Sequence, residues 1–455
     1  MDTIKFDDHR SILINKKLLE LMKKKDSNPN IIKKFLQNKN YLRLEQTSQN
    51  QQSQPSKSET KSKPQKLQPS NTEKKSKAQK GPNQIYKKVP QLSNTPREEY
   101  KKYHKIKIGI TAALFDRLHT NGHKFNTILW YDFFTVCGYD VYFLVRENVI
   151  VPKGFKSITF TQKDMSNVAQ LDIVCMIGVL DQSLLLYCKA KKKRFIYMIM
   201  GSTYHNDVRF MLDPGCKRKS QFFDIQEAWM SPHFEFCREY YKIKYKTDNI
   251  FIGPYFWRED LFVKDNVLKH VNKNFLKLKV AIVEPNIELA KNCLIPISIC
   301  EKANKWIDHV FVFNAAQLKD NICFKSFVCN TTLQKDRKIS IEARYPFGLI
   351  LSRHANCVVS CVRDCELNYI YLECFYLGIP LIHNSKKIKE YGYYYPDYDV
   401  TKGAEQVKNV LMNHNRQKYI EKHKPLLEKY SIYNPMYHTW VHERINNTGH
   451  NDCFD

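Results

Sequence analysis

The chain has 455 residues, a hydrophobic fraction of 43% and a formal net charge of +27, a length that suggests two to three units, each able to bury its own core. Its 14 cysteines are scattered through apolar runs such as LDIVCMIG and ANCVVSC, which excludes a small disulfide scaffold and reads as reduced core thiols. The start MDTIKFDDHR lacks a basic segment followed by an apolar one, and no apolar run approaches the ~18 residues of a bilayer span, so a soluble, unsecreted protein is expected.

Residues 1–45 place Ile12, Leu13, Leu18, Leu19 and Leu21 at near-helical spacing, and IIKKFLQNKNYLRL repeats the pattern; two short helices, marginal alone, are predicted there. Residues 46–103 are dominated up to Gln84 by Gln, Ser, Lys, Pro and Asn with almost no large apolar side chain, a basic linker that cannot offset the entropy of ordering. Residues 1–100 hold 22 Lys and Arg against 10 Asp and Glu, so the tail is the densest source of positive charge. Such a tail can attract an anionic partner through sequence-independent electrostatics, or be no more than a solvated arm.

From residue 104 the texture changes. KIKIGIT, the helical GHKFNTILWYDFFTVC and YDVYFLV make a βαβ unit. SITF, LDIVCMIG, RFIYMIM, QEAWM and NIFIG extend the alternation, giving a Rossmann-like unit over 104–257. Residues 258–276 read as a hinge. A second doubly wound unit over 277–415 begins at LKVAIVEPN and continues through helices at 290–304, 323–332 and 346–354, HVFVFN, KISI, ANCVVSCV, LNYIYLECFYLG and IPLIHNS. Helices in 416–455 are expected to pack back across both units. The fold class is therefore α/β, two Rossmann-like domains facing a cleft where ligands bind beyond the carboxyl ends of the strands.

Four segments carry candidate chemistry. After the first strand, Asn121, Gly122, His123 and Asn126 stand where a helix begins and offers N–H groups to a phosphate or sugar hydroxyl; a turn with a capping Asn reads equally from the same residues. In GSTYHNDVRFML, the loop residues Gly201, Ser202, His205 and Asn206 face the same crevice. There His205, or else His123, is the candidate general base on an acceptor hydroxyl, the bland alternative being a surface or capping residue. In VAIVEPNIELAKNCLIP, Asn286 ends a strand and Lys291 stands near a helix start, suited to a diphosphate or simply solvated. In RDCELNYIYLECFYLGIPLIHNS, Glu373 interrupts an apolar helix, and a ribose diol would satisfy both its oxygens. Asp397 and Asp399 form a DxD, but two acids in a loop make a poor hard-cation site, and a structural role is expected. Neither a metal nor a bound cofactor is predicted.

KIGIT with Asn121, Gly122 and Asn126, then EAWMSPHFEFC, GPYFW, VAIVEPN with KNCLIP and ICE, EARYPF, SRHA, NYIYLE, GIPLIHNS and GYYYPDYD resemble, in order, a family of unknown function shared by bacteria and giant DNA viruses and regarded as glycosyltransferase-like with the GT-B fold. The resemblance covers about Lys105 to Tyr430. It implies a nucleotide sugar held as co-substrate by the C-terminal half and a glycan or other hydroxyl acceptor on the N-terminal half. Glu373 resembles the acid that binds the ribose and Lys291 a diphosphate contact; Asn368, His383, Asn384 and Ser385 would line the crevice, and Arg344 would contact phosphate. A viral chain would act in the host cytoplasm or virion, any other in the cytoplasm. Asp364, Cys365 and Glu366 do not reproduce the spacing of the acid pair usual in retaining GT-B enzymes.

The function expected is metal-independent sugar transfer from a nucleotide diphosphate donor. Two rivals remain at the level of sequence: a non-catalytic relative that binds glycan or nucleotide, and a nucleic-acid- or membrane-associated protein acting through its basic tail.

Overall fold

The computed structural model describes residues 98–112, 122–178, 180–213, 215, 223–262, 277–287 and 289–446, all within one compact unit, Gln79–Asp455. The expected helices of residues 1–45, the linker up to residue 97 and Asn121 lie outside the described residues.

The first sheet has seven parallel strands in the order β3-β2-β1-β4-β5-β6-β7. They are β1 Lys107–Thr111, β2 Asp140–Arg146, β3 Ser157–Phe160, β4 Ile173–Ile177, β5 Arg194–Ile199, β6 Glu227–Met230 and β7 Ile250–Ile252. Every residue of β4, β5 and β6 is buried, as a parallel sheet covered on both faces requires. Its helices are α1 Gly122–Val136, α2 Gln182–Ala190, α3 Thr203–Leu212 and α4 Arg238–Tyr245. Helix α1 stops because Gly138 takes φ +92 where an added Cβ would stand 2.3 Å from the Tyr100 carbonyl oxygen, a position open only to glycine. The segment between β6 and β7 is divided: Pro232–Cys237 winds as a 3₁₀ segment before α4 begins.

The second sheet has six parallel strands in the order β10-β9-β8-β11-β12-β13, namely β8 Leu278–Ile282, β9 Ile307–Val312, β10 Ile339–Ile341, β11 Cys357–Val359, β12 Leu381–His383 and β13 Tyr393–Tyr394. Its helices are α5 Leu294–Lys302, α6 Ile322–Cys329, α7 Phe347–Arg353 and α8 Tyr369–Leu377, followed by α9 Val400–Asn413, α10 Arg416–Lys429 and α11 Pro435–Asn446. GYYYP, read as loop in the sequence, supplies an edge strand: Tyr393 and Tyr394 pair with Ile382 and His383, and the Tyr393 ring stacks on Tyr419 of α10. Asp399 caps α9 by accepting from the Lys402 N–H at 2.8 Å, and Asp397 pairs with Lys386.

The chain passes from the first half to the second beside its own return path. Trp257 N–H donates to the Tyr430 carbonyl at 2.8 Å and forms a parallel bridge with Ser431, while Arg258 enters a buried ion pair with Asp132 of α1. Helix α11 then docks on the first half. Buried Arg194 at the start of β5 donates to the Arg444 and Ile445 carbonyls at 2.7 and 3.1 Å, so a cation satisfies carbonyls left open at the helix end. Glu227 of β6 balances that charge through two hydrogen bonds of 2.9 and 3.1 Å, and Trp440 packs edge-on against Trp229.

Candidate functional site

In both sheets the strand order reverses beside the first strand, between β1 and β4 and between β8 and β11, which places a crevice beyond the carboxyl ends of these strands. A cleft of about 270 Å³ opens there, lined by His233, Glu235 and Phe236 from the segment after β6 and by Asp364, Glu366 and Lys387 from the loops after β11 and β12. Both halves contribute. The volume lies at the small end of ligand pockets, enough for one ring or a short phosphorylated group.

On the first-half wall, Ser202 is the N-cap of α3: its Oγ accepts from the His205 N–H at 3.3 Å and also bonds His205 Nδ1. Oxygen capping the first turn is why the chain turns into helix here. The cap fixes the imidazole with Nε2 toward the second half, 3.9 Å from Asp364 Oδ2. Asn206 is half-buried beside it. Gly201 gives room to His123, whose Nε2 would stand 2.8 Å from a Cβ there, and burial lowers the His123 pKa.

The start of α1 is covered by the other half. Tyr369, the first residue of α8, donates its hydroxyl to Asn126 Oδ1, lies 3.8 Å from the Cβ position of Gly122 and stacks on Tyr255 at 5.4 Å between centroids. Gly122 and Asn126 therefore meet a tyrosine where the sequence suggested a ligand.

On the second-half wall, Asn286 is a loop strut. It sits at φ +56, its Oδ1 accepts from Cys293 N–H at 2.8 Å and its Nδ2 donates to the Glu284 carbonyl at 2.9 Å. Asn368 caps α8 through the Ile370 N–H. His383, with both ring nitrogens engaged by Tyr391 O and Ser385 N–H, has a pKa pushed down to about 4 by burial. Asn384 clasps both backbone groups of Val362 and the Asp397 carbonyl, and Ser385 donates to the Glu366 carbonyl at 2.7 Å. Asn384 and Ser385 hold the loop that carries Asp364 and Glu366, and His383 holds the turn after its own strand, so the polar atoms of all three support the wall rather than face a ligand. Arg344 is exposed on the loop after β10.

Glu373 and Lys291 both stand near the cleft residues. Lys291 is half-buried and, after burial itself, is the next cause holding the His233 pKa well below its ordinary value; Lys387 adds to it. Glu373 is 6% exposed, and burial raises its pKa well above the carboxylate range; among the described residues no side chain or backbone group bonds its carboxyl. Its ionisation is one of the causes that raise the pKa of Tyr255, after burial and the larger effects of Tyr369, Tyr430 and Cys365, and Tyr255 packs edge-on against His233 at 5.5 Å.

Sequence reasoning passed over His233 and Lys387, and considered Asp364 only as a departure from the usual acid-pair spacing. His233 follows a strand that was recognised, so the rule that ligands gather beyond strand ends could have found it. Asp364 also follows a recognised strand, but it faces the cleft from the left-handed region, φ +52, where the sequence shows no glycine to mark the turn.

A family model described as a protein of unknown function (DUF2827) matches residues 108–445. The chain belongs to this family. No curated protein matches it. Among solved structures it is similar to Anabaena Alr3699/HepE in complex with UDP and glucose, at 8% identity over 75% of this chain and 99% of that one, with a TM-score of 0.52. It is also similar to sucrose-phosphate synthase from Thermosynechococcus elongatus, at 10% identity over 76% and 100% of the two chains, with a TM-score of 0.50. Likeness at such identity shows the fold: this DUF2827 chain has two Rossmann-like halves of the GT-B type. Among the described residues, no helix is long and apolar enough to cross a membrane.

Proposed function

We propose that the chain is a glycosyltransferase moving a sugar from a nucleoside diphosphate donor to a hydroxyl acceptor without a metal. The observation that carries this is the small cleft between two nucleotide-fold halves; Glu373, enclosed in α8 and not itself among the residues that line the cleft, bonds no described residue. A ribose diol would supply the donors that carboxyl needs. Similarity to a protein crystallised with UDP and glucose supports the same class of donor.

In this reading the bond from the anomeric carbon to the diphosphate breaks and one to the acceptor oxygen forms. Lys291 and Lys387 stabilise the charge that builds on the leaving diphosphate, an electrostatic contribution that is larger in a water-poor cleft. The acceptor proton passes to His205 if the transfer inverts configuration. With Nδ1–H donated to Ser202, Nε2 is the accepting atom, and Asp364 at 3.9 Å stabilises the imidazolium that results.

Calorimetry with uridine and guanosine diphosphates and turnover of a panel of nucleotide sugars test the proposal. Binding of at least one nucleotide and release of its diphosphate in the presence of an acceptor are expected. Binding without turnover would make the chain a non-catalytic relative, and no binding of any nucleotide would remove the donor reading altogether.

A further inference from the structure

His233 is an unusual side chain to find in a cleft wall. It is 6% exposed, its ring packs on Phe234 at 4.0 Å and Tyr255 at 5.5 Å, and its Nδ1 has no hydrogen-bond partner among the described residues. A buried polar atom left unsatisfied costs free energy and calls for a partner that arrives later.

The charges facing this ring divide by position. The two that act on it are Lys291, from the loop before α5, and Lys387, from the 3₁₀ turn after β12. The carboxylates that line the same cleft are occupied elsewhere: Asp364 stands 3.9 Å from His205 and 3.7 Å from Arg363, and Glu366 accepts from the Lys387 backbone N–H at 2.9 Å. Glu235 is exposed, and Tyr255, the remaining titratable neighbour, keeps its proton because burial raises its pKa. The cleft thus presents ammonium groups and carboxylate acceptors together, which suits a ligand that carries both a phosphate and hydroxyl donors.

We propose that His233 takes up a proton from solvent when the phosphate end of such a ligand enters beside Lys291 and Lys387, so that anion binding in this cleft is linked to the charging of one imidazole. This rests on the donor reading and adds to it a residue and a proton. In the unliganded protein, burial and two ammonium groups keep the ring neutral. An entering dianion reverses the local field, and the new N–H⁺ donates to a phosphate oxygen. No bond other than N–H forms on the protein.

The test is calorimetry with inorganic pyrophosphate, at several pH values in two buffers of different ionisation enthalpy, on the full chain and on His233→Gln. The difference between the proteins cancels the ligand's own ionisation. The wild type is expected to take up more protons per site than the variant, and its affinity to tighten relative to the variant by up to about tenfold for each pH unit lowered, the linkage of one proton. Equal proton uptake in both proteins, or no pyrophosphate binding, overturns the proposal. Should His233→Gln not fold, Lys387→Met at an exposed position takes its place. Its pyrophosphate affinity is expected to fall about tenfold, since one charge-assisted contact is lost, and an unchanged affinity overturns the proposal. A parallel arm with uridine diphosphate separates the two readings. Pyrophosphate binding with this signature but no nucleotide binding leaves His233 in place and removes the donor reading; nucleotide binding with no difference between the proteins does the reverse.

Discussion

Enclosing the Glu373 carboxyl in helix α8 with no described group bonded to it penalises its ionised form, and its pKa rises well above that of the unfolded chain. Between those two values the folded protein binds a proton that the unfolded chain has released, so the group's contribution to stability is present at low pH and is lost as pH rises through the folded value. Glu373→Gln keeps the shape and cannot ionise. It is expected to match the wild type in urea unfolding at pH 5 and to gain on it at pH 8. The same substitution is expected to weaken nucleotide binding by about tenfold, since a carboxyl with two acceptor oxygens for the ribose diol is replaced by an amide with one; a variant with wild-type affinity would show that the carboxyl meets no ligand. At this scale much was legible, but unevenly. Asp399, expected to be structural, caps α9, while Ser202 and Asn368, expected to line the crevice, stand at helix starts and cap the first turns of α3 and α8. His383, Asn384 and Ser385 lie at the strand end expected of them, yet their side chains turn inward onto Val362, Glu366 and Tyr391. Sequence position fixes where a residue stands along a strand; which neighbours complete its hydrogen bonds depends on loops brought in from far along the chain.

Among the elements, α11 depends on contacts that no local pattern announces. Its apolar and aromatic residues suggested a helix returning to the domains, but the anchor is Arg194, some 250 positions earlier in the chain. That guanidinium is balanced by Glu227, which also accepts from Trp229 Nε1 at 2.6 Å. Glu227→Ala leaves a buried cation with carbonyl partners alone, and a loss of about 3–5 kcal/mol in denaturant unfolding is expected. A loss below 1 kcal/mol would mean that water replaces the carboxylate at no cost. The βα alternation was readable because buried parallel strands are continuous apolar runs. Tyr393 and Tyr394 were missed because two residues are too few to show a period, and their pairing with β12 is decided by the tyrosine packing behind them.

For the whole molecule, the second sheet repeats the order of the first sheet's strands β1 to β6, and the chain travels between them along paths that touch at Trp257, Tyr430 and Ser431. Because α11 ends on β5 through the Arg194 contacts, the second sheet's polypeptide finishes as part of the first half's core. The covalent crossing is therefore backed by a non-covalent clasp. A gene divided between codons 262 and 277 should yield two polypeptides that assemble when co-expressed and elute together, the later fragment carrying its own tether. Separate elution would show that peptide continuity alone keeps the halves together, and introducing Glu227→Ala into the earlier fragment should loosen the pair. Ownership of a half is thus divided between stretches of sequence far apart, and a cut at the obvious boundary would delimit neither.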